Sequence, residues 1–314
     1  MHKASRGRGR LAVVAAALLA VVLPACTPED EKTPDRSGGG GPVLAVKIDN
    51  VGPARPQTGV ESADVVYVER VEAGLSRLMA LYATRLPKTV GPVRSARESD
   101  LELLRQFEDP VLAFSGAQSK LLPVIGRAPL RAVTPGSAPG GAFFRDSGRA
   151  APHNLYLHPD RLLKKAAGKE ALRRAGVGFG PRPDGGTALG SRTVGYPSAR
   201  FSFDWSAGKG RWLVSMDGRR ATAAGGAPLA AATVVVQYVK VRESGYHDVR
   251  GSNSPYSQST GSGRAQVLRD GRAFEGRWQR PAVSSATEFT DPDGGRLPFA
   301  EGPVWIVLAE DRQE

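Results

Sequence analysis

Acidic and amide side chains with the types needed for acid–base chemistry or ligand binding flank two apolar runs early in the chain. Asp49 and Asn50 follow the run 43–48, and Glu69 and Glu72 flank the end of the run 63–69. Ligands of open α/β sheets gather beyond the carboxyl ends of the strands. We therefore expect a cleft at this edge, lined by Asp49, Asn50, Glu69, Glu72, Arg77, Arg94, Arg97, Arg145, Arg149, His153 and Asn154.

This set of residues fits three different roles. Carboxylates among Asp49, Glu69 and Glu72 could act as general acid and base on a glycosidic bond, which needs a pair roughly 5–10 Å apart, and His153 could serve as a base at neutral pH. The arginines could instead recognise a carboxylate or phosphate through their two-pronged guanidinium groups. In the third role, acids and arginines pair with each other as a buried structural network. The residue types leave all three open.

The segment 91–97, Gly-Pro-Val-Arg-Ser-Ala-Arg, is predicted to be a loop that opens a helix. Its two arginines and the first amides of the helix could hold an anion. An ordinary capped turn is the alternative. His158 is expected near a helix start, and His247 is expected to be exposed.

Several motifs of known chemistry are missing from the sequence. There is no His-Glu-x-x-His sequence, no cysteine-based metal site, no phosphate-loop motif and no Gly-x-Ser-x-Gly motif. The segment Gly261-Ser262-Gly263 resembles a glycine-rich loop only weakly. We therefore predict no metal and no cofactor, and we leave catalysis uncertain.

The first 25 residues have the pattern of a lipoprotein signal peptide. A basic segment without acidic residues precedes an apolar run at 11–23, and these thirteen residues are fewer than the roughly 20 needed to span a bilayer. The sequence Leu23-Pro24-Ala25-Cys26 looks like a lipobox, so we predict cleavage before Cys26 and lipid, such as palmitate, on its thiol. Residues 26–42, rich in Pro, Gly and charge, are predicted to form a flexible tether.

Cysteine content and charge bear on location and partners. Cys26 is the only cysteine, so lipidation would remove a free thiol and the fold must form without disulfides. Loss of the four basic residues in 1–25 leaves 39 basic against 31 acidic residues, a net charge of +8. This excess favours an anionic partner, such as a cell-wall ligand, or serves solubility alone. Nucleic acid is not expected, because no aromatic-basic motif stands out.

The pattern of apolar residues divides the remaining chain into two regions. Residues 43–175 alternate between strands, at 43–48, 63–69, 77–82 and 111–114, and helices, at 99–107, 120–125 and 162–175. Residues 176–200 are predicted to be a linker or long loop. Residues 201–314 show only strands, at 201–205, 211–216, 233–241, 265–268, 273–278, 287–289 and 304–308.

These patterns predict an α+β or α/β protein. An N-terminal mixed α/β domain (43–175) precedes a mostly antiparallel β domain (201–314) that forms a small barrel or sandwich. The second region could instead pack on the sheet of the first as one body.

Several longer motifs resemble the YerB-like lipoproteins, also described as domain of unknown function 3048 with N-terminal and C-terminal parts. The N-terminal motifs are KIDN (47–50), ARPQTG (54–59), ADVVY (63–67) with Glu69, Glu72 and Arg77, GPVRSAR (91–97), RD (145–146) and APHNLY (151–156). The C-terminal motifs are GSG (261–263), RDG (269–271), GRW (276–278) and LPF (297–299) before GP (302–303). The resemblance covers about 43–309 and implies an extracytoplasmic lipoprotein in two parts, without adding a catalytic residue.

Together these observations predict a membrane-anchored protein on the outer face of the cytoplasmic membrane. The leading hypothesis is a binding or accessory protein of the bacterial cell envelope. One alternative is a cell-wall-modifying hydrolase that uses Glu69, Glu72 or Asp49 with His153. The other is a structural partner of another envelope protein.

Overall fold

The computed structural model describes residues 41–247 and 251–311. The predicted signal peptide, Cys26 and nearly all of the predicted tether lie outside these residues. Within them, no helix is long and apolar enough to cross a membrane.

The first half of the described chain contains seven strands and three short helices. The strands are β1 (Leu44–Asp49), β2 (Val65–Arg70), β3 (Ser76–Tyr82), β4 (Val111–Ala113), β5 (Arg131–Val133), β6 (Phe143–Arg145) and β7 (Leu155–Leu157). The helices are α1 (Glu98–Leu104), α2 (Leu122–Arg127) and α3 (Lys169–Arg174). Single 3-10 turns lie at Gly52–Ala54, Val60–Ser62, Glu72–Gly74 and Pro159–Arg161.

The second half is built from strands and one 3-10 turn, Ala207–Lys209. The strands are β8 (Thr187–Ala188), β9 (Ser191–Tyr196), β10 (Ala199–Ser206), β11 (Arg211–Met216), β12 (Arg219–Arg220), β13 (Ala230–Ala231), β14 (Thr233–Val239), β15 (Val241–His247), β16 (Asn253–Ser257), β17 (Gly261–Arg269), β18 (Arg272–Arg280), β19 (Glu288–Thr290) and β20 (Val304–Glu310). The predicted α+β class, with a largely β second half, is confirmed.

One mixed sheet of eleven strands joins both halves. Its order is β19-β18-β17-β14-β20-β2-β3-β1-β4-β5, and β8 pairs with β18. The last strand, β20, lies parallel between β14 and β2, with Val304 beside Val65. On the other side of β2, β3 runs antiparallel to both β2 and β1, and β4 and β5 continue parallel to β1.

Each face of the large sheet is covered by a different layer. A five-stranded sheet, β12-β11-β10-β9 with β13 beside β11, buries aromatic side chains such as Phe203 and Trp212 against one face. Phe203 packs edge-on against Trp305 of β20, with ring centroids 6.1 Å apart. The opposite face is covered by helices, through side chains such as Leu104 and Leu172. Sheet-on-sheet packing of this kind is the sandwich arrangement.

Three predicted segments differ in the structure. The helix expected at 162–175 forms only over Lys169–Arg174. Ahead of it, the amide of Gly168 donates to the carbonyl of Ala83 and the amide of Gly41 donates to the carbonyl of Ala166, so tertiary hydrogen bonds replace helical ones. Gly168 also has a φ of 92°, which a right-handed helix does not allow.

The segment 176–200, expected to be a linker, contains β8 and β9. In β9, Val194 and Tyr196 are buried while Thr193 and Gly195 are exposed, which is the alternation of a half-buried strand. The glycines and prolines of this segment made the short alternation hard to recognise in the sequence. The predicted strand 233–241 also ends earlier, because the chain leaves the large sheet after Val239 and pairs β15 with β16 instead.

Candidate functional site

The predicted site lies where β1 and β2 end and β3 begins. Register places Asp49 beside Arg77 on β3, and Arg77 beside Glu69 on β2. Directly opposed residues of antiparallel strands share a face, and so do residues two apart along one strand. Lys47 and Asp49 therefore project from the same face of β1, the face covered by the helices.

The large sheet divides at this point. β4 pairs with β1 only up to Val46, beside Ala113. Beyond Val46 the segment 91–94 takes its place, since the amide of Asp49 donates to the Pro92 carbonyl at 2.9 Å and the amide of Arg94 donates to the Lys47 carbonyl at 2.8 Å. This division brings Arg94 beside Asp49.

Asp49 contacts two cationic or basic groups at once. Its Oδ2 lies 2.9 Å from Arg94 Nε and 2.8 Å from His153 Nδ1. The Asp49 side chain is 3% exposed, whereas those of Arg94 and His153 are 27% and 19% exposed. Since a carboxylate accepts, His153 donates from Nδ1, and Nε2 is the ring nitrogen left for another partner. We call Asp49, Arg94 and His153 the Asp49 cluster.

Lys47 lies fully buried between two carboxylates. Its Nζ donates to Glu69 Oε1 at 2.8 Å and to Asp100 Oδ1 at 2.6 Å, and all three side chains are at most 2% exposed. Burial, together with the nearby charge of Asp100, raises the pKa of Glu69. One ammonium cannot balance two buried carboxylates, so the environment favours a proton on Glu69.

Glu72 forms a two-pronged ion pair with Arg97. Arg97 Nε donates to Oε1 at 2.5 Å and Nη2 donates to Oε2 at 2.6 Å, and the Ser254 hydroxyl donates to Oε1 as well. Burial opposes the charged form, but the hydrogen bonds and charge of Arg97 outweigh it and lower the pKa of Glu72 to about 2. Glu72 is therefore held as a carboxylate.

Arg77 and Asn50 are also buried and are committed to structural contacts. Arg77 Nη1 donates to the Ser95 carbonyl at 3.2 Å. Burial and the charge of Arg97 lower the pKa of Arg77 to about 10. Asn50 donates to the Ser76 hydroxyl at 2.9 Å and accepts from Gln57 at 2.8 Å.

The remaining predicted residues form separate contacts. Arg145 is exposed and donates to Asn154 Oδ1 at 2.7 Å across the β6–β7 hairpin. Arg149 donates to the carbonyls of Ala54 and Pro56 at 3.0 and 2.9 Å. In this structure both arginines position backbone and side chains outside the Asp49 cluster.

The start of α1 is occupied by its own carboxylate. Asp100 Oδ2 accepts from the amide of Arg97 at 2.7 Å, in a helix of seven residues. Ser99, at the start of the helix predicted over 99–107, does not cap it, because its hydroxyl oxygen accepts from the amide of Ser257 at 2.9 Å. The capped-turn interpretation of 91–97 therefore fits the geometry, and the anion interpretation does not.

The C-terminal segment Gly261-Ser262-Gly263 is the beginning of β17 and not a loop. A Cβ atom at Gly263 would lie 2.6 Å from Trp278 Nε1 and 2.7 Å from the Tyr238 carbonyl oxygen. The glycine is needed for close packing, and the weak resemblance of this segment to a glycine-rich loop is wrong, because the segment is a strand.

The carboxylates of the site do not face an open cleft. Asp49, Glu69, Glu72 and Asp100 are exposed by 2%, 1%, 6% and 0%, and each contacts at least one cation. Among residues 41–247 and 251–311, no three His, Cys, Asp or Glu side chains come close enough to hold a metal ion. Within the Asp49 cluster, Asp49 is sealed, whereas Arg94 and His153 are partly exposed.

Sequence reasoning did not include Lys47 or Asp100 among the site residues. Lys47 stands alone among apolar residues in a buried strand, and a buried ammonium needs an acidic partner. That signal was present in the sequence. The identity of the partner was not, because Asp100 lies 53 residues away.

The fold and the site define a two-part protein whose mixed sheet and buried charges span both halves. A family model for the N-terminal domain of a protein of unknown function, DUF3048, matches residues 27–173, and the model for its C-terminal domain matches residues 192–306. The chain belongs to the DUF3048 family.

Two comparisons with Bacillus subtilis proteins extend this result. The chain is 26% identical over 287 residues to the protein named "Putative lipoprotein YerB" of strain 168, which covers 85% of this chain and 81% of the relative. The crystal structure of YerB from Bacillus subtilis matches with a TM-score of 0.72 at 22% identity, over 87% of this chain and 92% of the other. The two proteins share the fold described above.

Proposed function

We propose that this chain is a lipid-anchored protein on the outer face of the cytoplasmic membrane, held there by lipid on Cys26. The basic segment, the short apolar run and the Leu-Pro-Ala-Cys sequence support this location. The similarity to a relative named as a putative lipoprotein supports it independently. Two or more acyl chains on Cys26 would make the attachment stable.

We further propose that the protein binds an anionic ligand of the cell envelope, such as a cell-wall fragment. The observation that carries this proposal is the difference in exposure within the Asp49 cluster. Asp49 is sealed, while Arg94 and His153 keep part of their surfaces open. What the site offers to solvent is a guanidinium and an imidazole, the groups that recognise carboxylates and phosphates.

The same observation weighs against the hydrolase. A glycosidase needs two carboxyl groups facing its substrate across about 5–10 Å. Here the acids are covered, and each is paired with Lys47 or an arginine. The geometry therefore favours binding without turnover.

The test is sedimentation of the full-length chain with purified peptidoglycan, in detergent. We expect retention of the wild type and a loss of at least fivefold in Arg94→Gln. Arg277→Gln, an equal charge change at an exposed residue of β18, is the matched control and should bind as the wild type does. Loss in both variants, or in neither, would refute a site at Arg94.

The same incubation tests the alternative functions. Release of soluble wall fragments by the wild type, abolished in Glu69→Gln or Glu72→Gln, would make the protein a hydrolase. Neither retention nor release would shift the proposal to a protein partner in the envelope. The anchor has its own test: Cys26→Ser should move the protein from the membrane to the aqueous fraction, and membrane retention at unchanged mass would contradict lipidation.

A further inference from the structure

A second candidate site lies on the opposite side of the loop that follows β1. A cavity of about 220 Å³ opens between residues 52–57 and the hairpin of β11 and β12. Its lining includes Arg55, Gln57, Met216, Arg219, Arg220 and Thr222. None of these residues belongs to the Asp49 cluster.

The two walls of this cavity are joined by backbone contacts. Gln57 forms a parallel bridge with Ala223, and the amide of Ala224 donates to the Gln57 carbonyl at 2.9 Å. On the loop side, Arg149 donates to the carbonyls of Ala54 and Pro56. The cavity is therefore a feature of the fold and not a gap between loosely placed side chains.

Arg55 is held in place at the mouth of the cavity. Its Nη2 donates to the Asn50 carbonyl at 2.5 Å and its Nε donates to Asn50 Oδ1 at 3.2 Å. Its Nη1 lies 2.8 Å from Asp217 Oδ2. An arginine fixed in this way loses little conformational freedom when a ligand binds.

The lining carries more positive charge than its neighbours neutralise. Arg55 pairs with Asp217, and Arg220 lies 3.2 Å from Asp204. Arg219 is exposed and forms no ion pair or side-chain hydrogen bond with any residue in the described part of the chain. The cavity thus has one uncompensated guanidinium beside two that are only partly screened by exposed acids.

We infer that this cavity binds a phosphate ester. Arginine forks match the oxygen geometry of phosphate and donate to it in pairs. The Thr222 side chain supplies a further hydroxyl in the lining. The volume is many times the roughly 10–15 Å³ that one water needs by the same kind of measure, so a phosphate with an attached polyol fits. This inference goes beyond the proposed function and does not depend on it.

The experiment is calorimetric titration of the full-length chain in detergent with inorganic phosphate and with glycerol 3-phosphate. We expect both to bind the wild type, and we expect Kd to rise at least tenfold in Arg219→Gln. Because Arg219 is exposed and its side chain pairs with no residue in the described part of the chain, we expect its replacement to leave the fold intact, which circular dichroism checks. Arg220→Gln should also raise Kd, and the control Arg277→Gln should change it less than twofold.

Other results would overturn the inference. These are no binding by the wild type, an equal change in Arg277→Gln, or a Kd unaffected by Arg219→Gln. If only Arg94→Gln weakens phosphate binding, the phosphate binds at the Asp49 cluster. That result would leave the proposed function in place and overturn the second site.

A further arm separates the possible sources of the phosphate. The titration with glycerol 3-phosphate is repeated in micelles that contain phosphatidylglycerol. If the lipid competes in the wild type, the pocket accepts a lipid headgroup. If Kd for glycerol 3-phosphate is unchanged, the pocket is selective for soluble phosphate esters. Both results support the pocket, provided that Arg219→Gln abolishes the binding.

Discussion

Lys47 is the residue on which the buried charges at the end of β1 depend, because its ammonium group contacts both Glu69 and Asp100. A charge removed from water is costly unless it is paired and hydrogen-bonded. The two carboxylates satisfy the buried ammonium of Lys47. A proton on Glu69 then balances the charge of Lys47, Glu69 and Asp100. At the scale of residues, these polar side chains act mainly to hold one another in position.

Replacing Lys47 should therefore make the folded protein much less stable. Lys47→Met leaves Asp100 buried without its cation, and we expect the free energy of unfolding to fall by about 3–5 kcal/mol. Lys169→Met is the control, since its ion pair with Glu301 is exposed and should contribute at most about 1 kcal/mol. Urea unfolding measures the loss of stability in both variants. Equal losses would show that the buried contacts of Lys47 contribute no more than an exposed ion pair.

The lowered pKa of Glu72 predicts a specific loss of stability in acid. Its pKa is about 2 in the folded protein, below the ordinary value of 4.5, because Arg97 overcomes the effect of burial. A lowered carboxylate pKa stabilises the fold above pH 4.5, and that stability is lost as the pH falls from 4.5 towards 2.

Glu72→Gln tests this account. We expect the variant to be less stable than the wild type at pH 7, and the difference to shrink between pH 4.5 and 2. Glu301→Gln, at an exposed carboxylate, should follow the wild type throughout. Denaturant unfolding at a series of pH values gives the result, and a difference that stays constant with pH would contradict the role given to Glu72.

At the scale of elements, glycines decide where strands can approach. Gly263 in β17 leaves room for the Trp278 indole, whose Nε1 donates to the Tyr238 carbonyl at 2.7 Å. A side chain at this position would separate β17 from its neighbours. Gly263 thus serves packing, whereas Gly261 has a φ of 114°, which favours glycine. Both lie in a strand that the residue pattern predicted only from 265 onward.

Gly263→Ala should therefore be destabilising although alanine suits a strand better than glycine. We expect a loss of about 1–3 kcal/mol from overpacking. Gly195→Ala in β9 is the matched control, because its new Cβ would meet no atom within 4 Å, and its stability should be unchanged or slightly higher. Thermal unfolding of the two variants decides the point, and equal behaviour would contradict the packing role.

At the scale of the whole molecule, the two halves share one sheet. β20 lies between β14 and β2, so β2 has β3 on one side but gains its second neighbour only when the last strand is in place. Tyr196 adds a second link, since its hydroxyl lies 3.1 Å from the Val68 carbonyl and 2.9 Å from the Leu308 carbonyl. The division into domains at 43–175 and 201–314 therefore stays a prediction, and the two regions share strands of one sheet.

This shared sheet predicts a single cooperative unfolding transition. A chain that ends after residue 190 lacks β14 and β20, and we expect it to show no cooperative thermal transition. A chain that ends after Asp311 keeps every strand and should unfold as the full-length protein does, with equal calorimetric and van't Hoff enthalpies. A sharp transition in the shorter chain would show that the first half folds alone.

Local patterns in the sequence were sufficient for most strands and for the α+β class. Alternating and β-branched runs identified β1, β2, β3, β14 and β20 to within two residues at each end, because burial on a pleated sheet imposes its period directly on the chain. The Leu-Pro-Ala-Cys sequence is equally local, and its interpretation as a lipobox with lipid on Cys26 stays a prediction. Where local pattern and tertiary hydrogen bonds competed, as at 162–168, the pattern failed.

The pairing of residues was decided only by the tertiary structure. Asp49 meets His153 across 104 residues, and Ser254 reaches Glu72 across 182. The sequence indicated that acids and arginines gather at one edge, without indicating which acid is sealed and which arginine stays open. Such contacts depend on the order of strands in the sheet, and strand order is set by burial over the whole chain, which no local period encodes.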